Sequence, residues 1–283
     1  MPAPKLTTLN NYNIPLVTPK NYDLNKKVMV FSFYLTEDYK ERRANKIHHF
    51  CLNKYSNIFD EIIMTILVDD ITNEKLIDEC KHWLLDCLHC KSVTLKVDKG
   101  TKFCESMVFF KEIASKIDEL YGLYFFGHNK GVTNYDTYPD NMKDIDMWLI
   151  GMYYLNFNFI DEVERSLIFS TRTCFYGAFM TDEVSAEDFR DSKTYYNGTF
   201  YWINPTFLPD GKIPLLSHRG YAELFPIFVS KPTEKTSHGW KYMPYNRFNP
   251  YTDMSDYMHV FLFKEEERND FYSLYDAIIK NVK

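Results

Sequence analysis

Residues Tyr121–Val132 read YGLYFFGHNKGV. The uncharged apolar run Leu123–Phe126, ending in Gly127 and His128, has the length and composition of a strand buried on both faces. It is the last of a regular series. VMVFSFYL (Val28–Leu35), EIIMTILV (Glu61–Val68), SVTLKV (Ser92–Val97) and LYFFGH (Leu123–His128) begin 33, 31 and 31 residues apart. The intervening EDYKERRANKIHHFCLN, NEKLIDECKHWLLDCLHC and KFCESMVFFKEIASKIDEL carry apolar residues at helical spacing. Apolar strands alternating with crossover helices predict an α/β fold, with a mainly parallel central sheet and helices on both faces.

The second half changes character. DIDMWLIGMYYLNF predicts an aromatic-rich helix, and CFYGAFM, GTFYWI and MHVFLF are candidate strands between Pro-, Gly- and Asn-rich loops. ERNDFYSLYDAIIKNV closes the chain as an amphipathic helix, for which packing on the sheet is the default role and peripheral membrane association the alternative. No Gly/Ser or charge-run linker separates the halves. The reading is an extended arm over 1–27 and one domain over 28–283, with halves 28–132 and 133–283.

Composition narrows the function. Among 283 residues, 23 Phe, 22 Tyr and 4 Trp make 17% aromatics, enough for a thick aromatic core with some rings left to line a groove. A net charge of −6 argues against non-specific nucleic-acid binding, which needs a cationic face. The start of the chain is proline-rich, without the apolar stretch of a secretory signal, and no apolar run reaches membrane-spanning length. A cytoplasmic protein with free thiols is therefore expected. Cys87-x-x-Cys90, with His82 and His89 nearby, lacks a second ligand pair at zinc-finger spacing and reads as structural thiols on a helix.

In an open α/β sheet, ligands lie beyond the carboxyl ends of the parallel strands. Those ends carry Thr36, Glu37 and Asp38; Asp69 and Asp70; Asp98 to Thr101; and His128 to Gly131. The chain has no G-x-G-x-x-G after the first strand, no G-x-x-x-x-G-K-[ST] and no G-x-S-x-G. A dinucleotide dehydrogenase, a P-loop enzyme and an α/β-hydrolase are disfavoured.

Four further segments occur in order: HNKGV (128–132), MWLIGMYY (147–154), NGTFYW (197–202) and RGYAELFP (219–226). Over roughly residues 28–230 this order resembles the small bacterial and viral surface-polysaccharide glycosyltransferases of GT-A type, galactofuranosyltransferase-like proteins among them. That family usually ends its fourth strand in a metal-holding Asp-x-Asp; the likeness here is to members with a His-x-Lys-Gly loop. The sequence departs from the pattern in placing Asn197 before Gly198 and Tyr201 at a usual Trp position.

The resemblance implies a GT-A-like Rossmann-type sandwich, with 28–132 binding a nucleotide-sugar and 133–283 a glycan or lipid-linked acceptor. It implies that His128 and Lys130 hold the donor diphosphate, with Gly131 letting the backbone approach, and that Lys102 and Glu105 contact the donor. A lysine supplies directly the positive charge that carboxylates supply only through a metal. No cofactor is then expected, with Mn²⁺ or Mg²⁺ as the alternative. Tyr34 could stack on the base, and Thr36 and Asp69 could contact base or ribose, although Thr36 also suits the N-cap of a helix. Glu223 is the candidate base, with Asp182 and Glu183 behind it; Arg219 could pair with Glu223 or reach a phosphate. Asn197 and Gly198 would lie near the sugar. Along the strand Thr199, Tyr201 and Ile203 face away from Phe200 and Trp202, so one set packs inward and the other could form a sugar platform. The competing readings are a non-catalytic carbohydrate-binding or scaffolding protein and a metal-dependent nucleotidyltransferase.

Overall fold

A computed structural model of the chain describes residues 22–69, 72–99, 104–129, 134–169, 173–181, 195–196, 199–208, 222, 225–226, 237–240, 254, 258–259, 262 and 264–282. The four strands of the first half are β1 (Lys27–Tyr34), β2 (Glu61–Val68), β3 (Ser92–Lys99) and β4 (Leu123–His128). They alternate with helices α1 (Arg43–Tyr55), α2 (Glu74–Leu85) and α3 (Cys104–Glu112). Further along come α4 (Asn134–Thr137), α5 (Met142–Phe157), α6 (Ile160–Ile168), β5 (Thr173–Gly177), β6 (Met180–Thr181), β7 (Tyr195–Tyr196), β8 (Tyr201–Ile203), β9 (Ser237–Trp240) and α7 (Glu265–Val282).

One seven-stranded sheet takes strands from both halves, in the order β3-β2-β1-β4-β8-β5-β9, while β6 and β7 form a separate ribbon. β1, β2, β3 and β4 pair in parallel, β8 runs antiparallel to both β4 and β5, and β9 is parallel to β5. The class is therefore α/β with a mostly parallel mixed sheet.

Alternation along the strands divides the core. Met29, Phe31 and Phe33 of β1 join Ile62, Met64 and Ile66 of β2 beneath α1, α5 and α7. Val28 and Val30 face the other way, with Tyr124 and Phe126, toward Phe109 of α3. β1 and β4 have helices on both faces and read as continuous apolar runs. β3, at the sheet edge, is covered less, and Val97 is 41% exposed. The aromatic excess goes largely into this core: Phe59 stacks on Trp202 at 5.4 Å, and Phe125 meets Phe157 edge-on at 4.7 Å.

Several sequence expectations need correction. The first crossover helix begins at Arg43. Residues before it form a turn in which Tyr39 N–H donates to Thr36 O (3.2 Å), so Thr36 is not that helix's N-cap. Tyr39 sets the turn: its ring is buried against Trp83 and Phe33, with centroids at 5.3 and 6.5 Å. The helix expected through residue 120 stops at Glu112, where Ile113 leaves helical geometry (φ −124°, ψ −67°). Cys87 and Cys90 lie beyond the end of α2; their thiols donate to the carbonyls of Leu84 and Phe59, each at 3.1 Å. Of MHVFLF, expected as a strand, the described residues are not in one: Met258 and His259 are helical, and Leu262 N–H donates to Met258 O at 2.9 Å. Met254, Met258 and Leu262 are all fully buried, a spacing of four that belongs to one face of a helix. No described helix is long and apolar enough to cross a membrane.

Candidate functional site

From β1 the chain steps outward to β2 and β3, then returns to lay β4 on the other side of β1. The strand order reverses there, and open α/β sheets bind their ligands in the crevice beyond the carboxyl ends of such strands. Ser32 of β1 is in register with His128 of β4, so the two strands deliver Tyr34–Thr36 and His128–Asn129 to the same end.

Asn129 holds this end together. Its N–H donates to Ser32 O (3.0 Å), and its side-chain oxygen accepts from Tyr34 N–H (2.8 Å). Its amide nitrogen donates to Tyr34 O (3.0 Å) and to Asn45 Oδ1 (3.1 Å). Asn45 in turn donates to Tyr39 O (3.0 Å). A side-chain amide thus extends the ladder between β1 and β4 by one rung and ties it to α1 and the turn after β1. Sequence reasoning gave Asn129 no role; its one visible signal was an amide directly after a buried strand.

Around this floor stand several of the predicted residues. Tyr34, half-buried, donates its hydroxyl to Asp69 Oδ2 at 3.2 Å, joining the ends of β1 and β2. Thr36 Oγ1 is buried and makes no hydrogen bond of normal geometry among the described residues. It lies near enough to Asp38 to help hold that carboxyl below its usual range, after the larger effect of the Arg42 guanidinium. His128 is 8% exposed, with Nδ1 3.9 Å from Glu105 Oε2 in the first turn of α3, close enough for an ion pair when the imidazole is protonated. Phe200 lies against the His128 ring, with centroids at 6.4 Å.

Tyr34, Thr36, Asp69, Glu105 and His128 therefore gather at this one end of the sheet. Lys102, Lys130, Gly131, Asp182, Glu183, Asn197, Gly198, Arg219 and Glu223 lie outside the described residues. Ala222, the residue before Glu223, is described: its N–H donates to Ser106 Oγ (3.3 Å), and its carbonyl accepts from Tyr201 (2.6 Å).

Tyr201 and Trp202 do not form a sugar platform. Both are fully buried, as are Thr199, Phe200 and Ile203 within 1%. β8 lies between β4 and β5 inside the sheet, so both of its faces are covered and neither set of side chains is left for a ligand. Tyr201 packs on the α3 side, whereas Trp202 donates to Asn156 O (3.3 Å) on the other. Entry into β8 is strained, since Thr199 has φ 60°, a left-handed conformation that a β-branched residue seldom adopts.

Among the described residues, no three His, Cys, Asp or Glu side chains gather closely enough to hold a metal ion. Compared with protein-family models and with curated proteins, the chain matches neither.

Proposed function

We propose that the chain is a GT-A-like glycosyltransferase that moves a sugar from a nucleotide-sugar, with a UDP-sugar favoured, to a glycan or lipid-linked acceptor. The observation that carries the reading is the gathering of side chains at the strand-order reversal. A half-buried aromatic (Tyr34), a hydroxyl beside Asp38 (Thr36), a carboxylate (Asp69) and a histidine (His128) converge where open α/β sheets bind their ligands.

In the proposed reaction the bond between the anomeric carbon and the diphosphate oxygen breaks, and its electron pair stays on the departing nucleoside diphosphate. The acceptor oxygen bonds to the anomeric carbon, and its proton passes to a carboxylate. His128 and Lys130 stabilise the charge gathering on the diphosphate, the task that Asp-x-Asp performs through a divalent ion. Glu223 is the proposed base of an inverting reaction. Its support is indirect: the preceding residue, Ala222, is bonded to Ser106, the neighbour of Glu105. Tyr34, Thr36 and Asp69 would contact the nucleoside and Lys102 and Glu105 the donor, while Asn197, Gly198 and Arg219 would lie on the acceptor side. Chemistry without a metal is part of the proposal, and Mn²⁺ or Mg²⁺ its alternative. A non-catalytic carbohydrate-binding scaffold is favoured by one feature, the standing of His128-Asn129-Lys130 where the resembled family usually carries Asp-x-Asp.

Thermal unfolding with UDP-, GDP-, CMP- and dTDP-sugars, each in EDTA and in Mn²⁺, tests the reading. A ligand at about 100 times its Kd adds roughly 2.7 kcal/mol, a shift of a few degrees in a chain of this size. The expected result is a shift by one nucleotide class in EDTA that disappears in His128→Ala and Lys130→Ala, together with sugar transfer or donor hydrolysis. A shift confined to Mn²⁺ refutes the metal-free mechanism. Binding without turnover favours the scaffold.

A further inference from the structure

Two adjacent arginines open α1, where the helix dipole disfavours cations. Arg42 is the N-cap and makes no capping bond, and the first turn contains no acid. A break with a local rule at the edge of a candidate site calls for a compensating role.

The guanidinium groups reach outward from the helix to the two segments that would rim the crevice, the turn after β1 and α4, and to α5. Arg42 donates from Nε to Asp38 Oδ1 (2.9 Å), in the turn after β1, and from Nη1 to Asp136 Oδ2 (2.7 Å), in α4. Arg43 grips Asp146 of α5 with two bonds, Nε to Oδ1 (2.9 Å) and Nη2 to Oδ2 (2.7 Å). The Asp146 side chain is only 3% exposed, and its Oδ1 also accepts from the Tyr135 hydroxyl at 2.6 Å. Consecutive residues of α1 therefore hold consecutive residues of α4, Tyr135 through Asp146 and Asp136 directly. Arg42 joins α4 directly to the turn after β1.

The geometry points to Arg42 and Arg43 as positioning residues that set the separation of the two rims and, through it, the affinity for the donor nucleotide. This rests on the glycosyltransferase reading. The two arginines divide the work. Arg43 and Asp146 form a bidentate pair around a buried carboxylate, so loss of either partner also lowers stability. Asp38 and Asp136, the partners of Arg42, are 53% and 70% exposed, and bonds to such groups contribute little to stability. Arg42 is thus the position at which rim geometry separates from global stability.

The test compares Arg42→Ala and Asp136→Asn with the wild-type chain, with UDP as the probe. Hydrogen exchange follows the α4 amides and the Tyr138 N–H just beyond them, which donates to Asn134 O at 2.8 Å. Both variants are expected to speed exchange in this segment and to raise the UDP Kd about tenfold, since small misplacements of binding groups carry large penalties. Melting temperatures are expected to stay close to wild type. Asp136→Asn keeps the guanidinium, so a weakened UDP complex there assigns the effect to the bridge and not to direct contact of Arg42 with a phosphate. Unchanged exchange in both variants overturns the proposal, as does faster exchange with unchanged UDP affinity. A wild-type chain that binds no nucleotide overturns the donor reading and the positioning role together, whereas UDP binding with unchanged exchange overturns the positioning role alone.

Discussion

Replacement of Asn129 by alanine should loosen the carboxyl ends of β1 and β4 more than any other single change at the crevice. The substitution removes three side-chain hydrogen bonds, at 2.8, 3.0 and 3.1 Å. It strands the Tyr34 N–H, the Tyr34 carbonyl and Asn45 Oδ1 at a position only 6% exposed in the native fold. At about 1 kcal/mol net for each bond, the loss is ~3 kcal/mol. In a chain of this length that corresponds to a fall in Tm of roughly 6 °C. Urea denaturation monitored by far-UV circular dichroism should show a lower midpoint with an unchanged slope. Asn129→Asp sharpens the test. Its carboxylate still accepts from Tyr34 N–H, but it faces two acceptors without a proton to offer. It should destabilise at neutral pH as much as alanine does, and the gap to wild type should narrow as the pH falls and the carboxyl protonates. If Asn129→Ala lies within about 0.5 kcal/mol of wild type, or Asn129→Asp is as stable as wild type at pH 7, Asn129 does not hold the two strands together.

Two further outcomes follow from groups away from the crevice. Burial raises the pKa of Glu112, but ammonium bonds from Lys96 (2.8 Å) and Lys116 (3.0 Å) outweigh it and hold the carboxyl below 4.5. A depressed carboxyl contributes stability above its unfolded pKa and loses it as the pH falls through the folded one. Glu112→Gln should therefore cost about 1 kcal/mol at pH 7, since both lysines are partly exposed, and should flatten the loss of stability below about pH 4.5 in acid titrations of Tm. Burial also pushes the thiols of Cys80 and Cys87 up to about 12 and raises that of Cys51, and all three are fully buried. Iodoacetamide at pH 8, read by peptide mapping, should alkylate half-buried Cys90 well before these three; equal native-state rates would show that the core around them opens.

The first half of the chain was largely legible because its strands are buried on both faces and separated by helices of regular length. β2 and β4 lie at the bounds their apolar runs suggested, and β1 is displaced by one residue. Legibility failed where a distant partner overrides local pattern. The Tyr39 ring, drawn under Trp83, delays α1, and the buried spacing of Met254, Met258 and Leu262 outweighs the strand-like look of MHVFLF. Tyr34, Thr36, Asp69 and His128 were chosen from one rule, that ligands sit beyond the ends of parallel strands, and Glu105 from the resemblance. Arg42 and Arg43 escaped that rule, and the bonding role of Asn129 was not legible, because each acts through partners far away in sequence.

By itself the sequence determined the α/β class and the parallel pairing of the first four strands. These follow from hydrophobic period and strand spacing, which depend on near neighbours in the chain. Only the tertiary structure decided that β8 enters antiparallel between β4 and β5, with Tyr201 and Trp202 committed to opposite faces of the core. Whether an aromatic residue on a strand meets solvent depends on what covers each face, and that covering comes from segments far apart in sequence.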